Sequence, residues 1–163
     1  MVDIQTISVG IASASIVIGI IYYSLQIRHQ TRTRDTDLVI RLSSAFDNPE
    51  FTNAYTRIAT TKSDSVKDFV EKCSPQALLM IGNYYERIGV LLHRKLVDAS
   101  LISDFLNVRV IWEAMKPYVL YMREKYGSAT FEWFEYLHNE MKKREQKLQQ
   151  SKLNNSPKIP GSP

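Results

Sequence analysis

The sequence predicts an all-α protein with a single N-terminal transmembrane helix followed by a cytoplasmic bundle of about five helices. Residues 4–27 carry no charged side chain, and arginines follow this run at once. Over the rest of the chain, apolar residues recur every three or four positions, which is the period of an amphipathic helix. No alternation of apolar and polar residues is long enough to indicate a sheet.

These patterns divide the chain into four segments. They are a transmembrane anchor (1–27), a basic juxtamembrane segment (28–34), a helical bundle domain (35–141), and a basic helix end with a disordered tail (142–163). A hydrophobic fraction of 44% and a charged fraction of 23% are typical of a folded chain. The single cysteine, Cys73, excludes an internal disulfide.

The uncharged run is interpreted as a retained anchor. As a helix it would extend about 36 Å, enough to cross a hydrocarbon core of about 30 Å with some tilt. A cleaved signal peptide is one alternative, but positive charge does not precede the run. Its densest apolar part, residues 16–25, also follows the cleavage-like triplet at 12–14 instead of preceding it. A buried helix of a soluble protein is the other alternative.

The charges beside the anchor predict its orientation. Arginines flank only its C-terminal end, so the positive-inside bias places the N-terminus outside the cell membrane and residues 28 onward in the cytoplasm. Tyrosine rings at the end of the run would lie near the lipid headgroups, where the hydroxyl stays hydrated. The residues predicted at this membrane interface are Tyr22, Tyr23, Arg28, Arg32 and Arg34.

One face of the anchor carries only small residues: Ser8, Ala12, Ser15 and Gly19. Small side chains let two transmembrane backbones approach closely, and hydroxyls can bond across the contact. The face therefore predicts a lateral contact with another membrane protein, or self-association through the anchor. The alternative is an ordinary, weakly apolar anchor in contact with lipid alone.

The net charge of +4 is unevenly distributed. The bundle domain is mildly acidic, at −3, whereas the segment from Lys142 onward carries +5. Because this basic tail lacks aromatic residues for base stacking, anionic membrane lipid is a nearer target than nucleic acid, and no nucleic-acid partner is predicted. The basic tail residues are Lys142, Lys143, Arg144 and Lys147.

Helical periodicity and capping signals organise the bundle domain. The predicted helices begin near Asp35, Pro49, Val66, Pro75, Asp98 and Ser128. The expected caps are Asp47 or Asn48, Ser74, Asp98 and Ser128. The longest helix should run from Asp98 to Gly127 with a kink at Pro117. Gly82 and Gly89 are expected to allow close approach of a neighbouring helix.

The sequence contains no phosphate loop, dinucleotide fingerprint, nucleophile elbow or zinc-type Cys/His pair. Glu135 and His138 alone have metal-like spacing, because Glu and His three apart can both reach a di-metal centre inside a bundle. Such a centre needs further ligands, for which Glu86 and Glu113 are only loose candidates, so the pair is interpreted as a solvated helix face. Glu86 is interpreted as the ion-pair partner of an arginine such as Arg123. No catalytic residue, metal site, cofactor or small-molecule substrate is predicted.

Three stretches carry a family resemblance: AFDNPEF at 45–51, NYYERIGVLLHRKLVD at 83–98 and WEAMKPYVLYMREKYG at 112–127. They resemble a prokaryotic family of membrane-anchored, all-helical proteins catalogued as a domain of unknown function. The resemblance implies an N-terminal anchor and a helical body, and it implies no activity or ligand. Members of that family often carry glycine near Lys95, so the turn there is expected to differ.

The expected function is that of a non-enzymatic, single-pass interaction or accessory protein. One alternative is a small structural subunit of a larger membrane enzyme complex, which would remain bound to its partner in detergent. The other is a metalloenzyme built on Glu135 and His138.

Overall fold

The computed structural model describes residues 4–155, with the side chains of residues 15–27, 37–152 and 154. The described residues form helices joined by short loops and contain no strand, so the predicted all-α class is confirmed. It divides into two units, residues 1–42 and residues 43–163. Each unit is described by itself.

The first unit is a single helix, α1 (Ile4–Ser43), of 40 residues. At 1.5 Å per residue it is about 60 Å long. Its backbone continues without a break through the segment predicted to lie beside the membrane. Every large apolar side chain from Ile16 to Ile27 is between 56% and 67% exposed. Within the described residues, no helix combines the length and the apolar character that crossing a membrane requires.

The second unit begins with a short 3₁₀ helix, Ser44–Asp47, and continues through six α-helices. These are α2 (Pro49–Thr60), α3 (Val66–Cys73), α4 (Pro75–His93), α5 (Ala99–Phe105), α6 (Val108–Tyr126) and α7 (Glu132–Asn155). The last helix extends beyond the predicted end of the bundle domain, so Asn154 and Asn155 of the predicted disordered tail are helical. Residues 156–163, the remainder of that tail, lie outside the described residues.

A side-chain oxygen accepts a first-turn N–H in each helix from α2 to α6. The capping residues are Asn48, Ser65, Ser74, Asp98 and Asn107. The predicted caps at Asn48, Ser74 and Asp98 are therefore confirmed. Replacing such a cap by alanine typically costs about 1 kcal/mol.

The prediction of one long helix from Asp98 to Gly127 is wrong. The chain leaves α5 at Leu106, which is extended (φ −122°, ψ 127°), and restarts with Asn107 as the cap of α6. Apolar spacing continues across this break, which is why the sequence pattern does not reveal it. Beyond the break, α6 runs through Pro117 as one helix and ends at Gly127, whose φ is 106°.

The core forms around α4, which lies against α2, α3, α6 and α7. Leu78, Ile81 and Ile88, whose helical spacing places them on one face of α4, are fully or almost fully buried. Burying an aliphatic side chain of this size contributes about 1.5–3 kcal/mol. Across the interface with α7, the ring of Tyr85 stacks on Phe134, with the centroids 4.9 Å apart.

Two glycines of α4 allow the start of α7 to approach closely, as the sequence predicts. A Cβ on Gly89 would lie 2.0 Å from the carbonyl oxygen of Trp133, and one on Gly82 would lie 2.7 Å from the Phe131 ring. Real Cβ atoms do not approach neighbours so closely. Any larger residue at position 89 would therefore push α7 away from α4.

The turn after α4 is of the kind that glycine usually occupies. The Leu96 N–H donates to the Leu91 carbonyl and the Lys95 N–H to the Leu92 carbonyl, each over 2.9 Å. Lys95 itself has φ 55°, a left-handed conformation that costs a residue with a Cβ more than it costs glycine. The left-handed turn therefore forms although a lysine occupies this position.

The prediction that Ser128 caps the last helix is also wrong. Residues 128–131 form a turn, and α7 begins at Glu132. Phe131, just before it, has φ 56° and offers no side-chain oxygen to the first turn. Its ring is nevertheless buried together with Phe134, Leu137 and Met141, as the periodicity predicts.

Candidate functional site

The first turn of α7 is capped from another helix. The carboxylate of Glu86, in the middle of α4, accepts the Phe134 N–H over 2.8 Å and the Trp133 N–H over 3.3 Å. Because the first N–H groups of a helix have no partner within it, this carboxylate satisfies two of them and places negative charge at the positive end of the helix dipole. Burial raises the pKa of Glu86, and the two backbone hydrogen bonds oppose that rise.

Arg123 fixes the turn that precedes α7. Its Nε donates to the Thr130 carbonyl over 2.9 Å, and one terminal nitrogen donates to the Phe131 carbonyl over 3.2 Å. The other terminal nitrogen forms an ion pair with Glu135 at 2.6 Å. The prediction that Glu86 is the partner of Arg123 is therefore wrong, since the arginine pairs with Glu135 and Glu86 binds backbone.

The second and third sequence stretches that carry the family resemblance meet at this junction. Glu86 and Gly89 belong to the Tyr-Glu-Arg-Ile-Gly core of the second stretch, and Arg123 belongs to the third. Glu86 and Arg123 bind the start of α7, and Gly89 makes room for it. Their role in the described structure is to attach α7 to α4 and α6.

A polar hollow of about 260 Å³ lies between α6 and α7. It contains a histidine flanked by carboxylates, cations and amides. Its lining residues are Arg109, Glu113, His138, Lys142, Glu145, Gln146 and Gln149. We refer to it as the His138 hollow.

His138 is the buried member of this hollow, with 8% of the residue exposed. Its ring stacks on Trp112 at 5.4 Å, and its Nε2 lies 3.9 Å from a carboxylate oxygen of Glu113. Its Nδ1 is enclosed and has no hydrogen-bond partner among the described residues. The predicted solvated face is therefore wrong for His138, although its spacing of four from Phe134 and three from Met141 already placed it on the buried stripe.

Burial lowers the pKa of His138 below its ordinary value of 6.5. Lys142 and Lys116 lower it further, whereas Glu113 and Glu135 raise it. The imidazole is consequently neutral at pH 7. Chemically, the hollow can exchange a proton with solvent on the Nε2 side, beside Glu113, while a proton added at Nδ1 would find no acceptor.

The metal-like pair does not converge. Glu135 turns toward Arg123, while His138 turns toward Trp112 and Glu113. Among the described residues, no group of three or more His, Cys, Asp or Glu side chains is arranged to hold a metal ion.

The predicted packing face of the anchor is only partly described. Ser15 is exposed, and a Cβ on Gly19 would meet no atom within 4 Å. The side chains of Ser8 and Ala12 lie outside the described residues. At the predicted membrane interface, Tyr22 and Tyr23 are exposed and meet edge to face, while the side chains of Arg28, Arg32 and Arg34 are also outside the described residues.

The predicted basic tail residues lie on α7, and two of them bind side chains of the same chain. Lys143 pairs with Glu140 over 2.7 Å, and Nε of Arg144 donates to the Ser103 hydroxyl over 3.2 Å. Lys142 lines the His138 hollow. Lys147 is exposed.

The comparison with protein families decides the relationship. A model described as Domain of unknown function (DUF4760) matches residues 9–141, most of the chain. The chain belongs to the DUF4760 family. The match includes most of α1 as well as the bundle up to Met141, so both units are part of the DUF4760 domain. Neither the curated proteins nor the solved structures provided a match.

The contribution of Glu86 can be measured by two substitutions. Glu86→Ala leaves two N–H groups of α7 without an acceptor and should lower the free energy of unfolding by about 1–3 kcal/mol. Glu86→Gln keeps one acceptor oxygen and should lose less. Chemical denaturation followed by circular dichroism gives both values, and Glu124→Ala, at an exposed position of α6, is the control. An alanine variant as stable as the native chain would contradict this role.

The buried histidine predicts a pH dependence of stability. Since the folded-state pKa of His138 lies below 6.5, the unfolded chain takes up the proton first as pH falls. The stabilising contribution is thus complete above pH 6.5 and is lost as pH decreases through the folded-state pKa. Thermal unfolding across this range should show a decline that His138→Phe reduces. His93→Phe, at an exposed histidine, should leave the decline intact; an equal decline in the His138 variant would contradict the prediction.

Proposed function

We propose that this protein is a single-pass, membrane-anchored interaction protein without a catalytic site of its own. In this proposal residues 4–27 cross the cell membrane, and the helical unit from residue 43 onward works in the cytoplasm as an accessory module for other membrane proteins. The apolar surface of α1 is the observation that carries the proposal.

The exposed apolar residues of α1 surround the helix. Consecutive positions such as Ile16, Val17 and Ile18 point in three different directions, since residues follow one another every 100°. All of them are more than half exposed. A helix that is apolar on every side needs a surrounding that is apolar on every side, and a bilayer provides it. The uncharged run in the sequence supplies the length that spanning requires.

Charge supports the orientation. The arginines that follow the run would remain on the cytoplasmic side because loops that stay inside carry an excess of Lys and Arg. Tyr22 and Tyr23, both exposed, fit the headgroup level between lipid and water.

The open surface at Gly19 supports a lateral partner. A Cβ there would meet no atom within 4 Å, so the backbone of a second transmembrane helix could approach it closely. Most of α1 lies within the DUF4760 match, which supports treating the helix as part of the domain.

Membrane insertion is tested by placing charge in the run. Lysine at the centre of a membrane helix costs about 2.5–3.5 kcal/mol per residue. The double variant Ile16→Lys, Ile20→Lys should therefore leave the membrane fraction under alkaline carbonate, whereas the native chain should remain. Leu79→Lys, at an exposed apolar position of α4, is the matched control and should also remain. Release of the native chain by carbonate would refute the anchor.

Sidedness is tested with one introduced thiol. The native chain is a silent background because its single cysteine, Cys73, is fully buried. Ser151→Cys, exposed near the end of α7, should react with a membrane-impermeant maleimide only after the cells are opened. Labelling of intact cells would reverse the proposed orientation while leaving insertion itself untouched.

A further inference from the structure

A groove of about 430 Å³ opens between the α5–α6 corner and the C-terminal half of α7. It lies wholly within the second unit, and its floor includes the buried core residues Leu106, Val108 and Met141. Its walls combine large apolar side chains with charges of both signs. We refer to it as the α5–α7 groove.

Two large apolar side chains stand uncovered on opposite walls of this groove. Phe105, at the end of α5, is 50% exposed, and Leu148 of α7 is 49% exposed. Phe105 is exposed because the chain turns at Leu106 and Asn107. This turn separates Phe105 from the buried face of α6, on which Trp112 and Met115 lie. Exposed aromatic surface beside arginine is a composition that protein interfaces favour.

The charges on the rim are balanced and weakly engaged. Arg109 approaches Glu145 only to 3.9 Å, and the hydrogen bond of Arg144 is to the neutral hydroxyl of Ser103. Asp104, beside that serine, is exposed and forms no ion pair with the described side chains. Asp104 and Arg144 are therefore the two rim charges without an ion pair among the described side chains, and the charge of Arg144 also helps to lower the pKa of Asp98.

We propose that the α5–α7 groove binds the same groove of a second copy of this chain about a two-fold axis. A two-fold contact brings a surface against itself, so each group must meet its complement elsewhere on the same patch. An apolar centre with equal numbers of positive and negative charges on its rim satisfies that requirement. Arg144 then pairs with the partner's Asp104, Asp104 pairs with the partner's Arg144, and Phe105 and Leu148 of both copies face one another across the axis.

This pairing makes a mixing experiment decisive. In Arg144→Glu, two carboxylates oppose each other twice across the axis, and in Asp104→Arg two guanidinium groups do so. Each variant alone should self-associate roughly tenfold or more weakly than the native chain. A mixture of the two should associate as heterodimers, because every pair across the axis is again of opposite charge.

The measurement uses the full-length chain in mild detergent. Sedimentation equilibrium gives the dissociation constants, and copurification of two differently tagged chains gives the heterodimer fraction. Lys147→Glu makes the same charge change on an exposed part of α7 that does not line the groove, and it should leave the dissociation constant unchanged. For the apolar centre, Phe105→Asp should dissociate the dimer, whereas Leu120→Asp, at an equally exposed position of α6, should not.

Three results would overturn the inference. They are a native chain that is monomeric at all accessible concentrations, a dimer that survives Arg144→Glu and Phe105→Asp, and a mixture of the two charge variants that stays dissociated. Circular dichroism of each variant separates loss of association from loss of folding. The substitutions leave α1 unchanged, so a difference between a variant and the native chain reports on the second unit.

Discussion

Glu86 lies in the middle of α4, yet it closes the first turn of α7. The last helix begins after a left-handed phenylalanine that provides no cap, so two of its N–H groups depend on a carboxylate from the helix it packs against. The absence of a side chain at Gly89 brings the backbones close enough for that contact. The His138 hollow and the α5–α7 groove both use α7 as a wall, so both depend on this attachment.

Whether an interaction can be predicted from the sequence depends on how far apart its residues are along the chain. The caps at Asn48, Ser74 and Asp98 were predictable, because each binds an N–H within three residues along the chain. The role of Glu86 was not, since its acceptor atoms meet N–H groups 47 and 48 residues away. The break before Asn107 escaped prediction because apolar spacing crosses it unchanged. The buried position of His138 was readable from its spacing, but the lack of further metal ligands led to the interpretation of a solvated face.

The two units differ in the exposure of their large apolar side chains. The second unit buries its large aliphatic residues around α4, while α1 leaves all of them exposed between Ile16 and Ile27. A bilayer around α1 and a second copy at the α5–α7 groove would each cover surface that the chain itself leaves open. The two arrangements would reinforce each other, because chains confined to one membrane have a raised effective concentration.

The contact between Gly82 and Phe131 couples the evolution of two distant positions. The Phe131 ring occupies the volume that a side chain on Gly82 would need. It does so from a backbone conformation that glycine would adopt at lower cost. Glycine at position 131 would relieve the left-handed backbone but would leave a cavity where the ring was. A larger residue at position 82 would displace the ring. Related chains can therefore change size at these positions only in compensating steps.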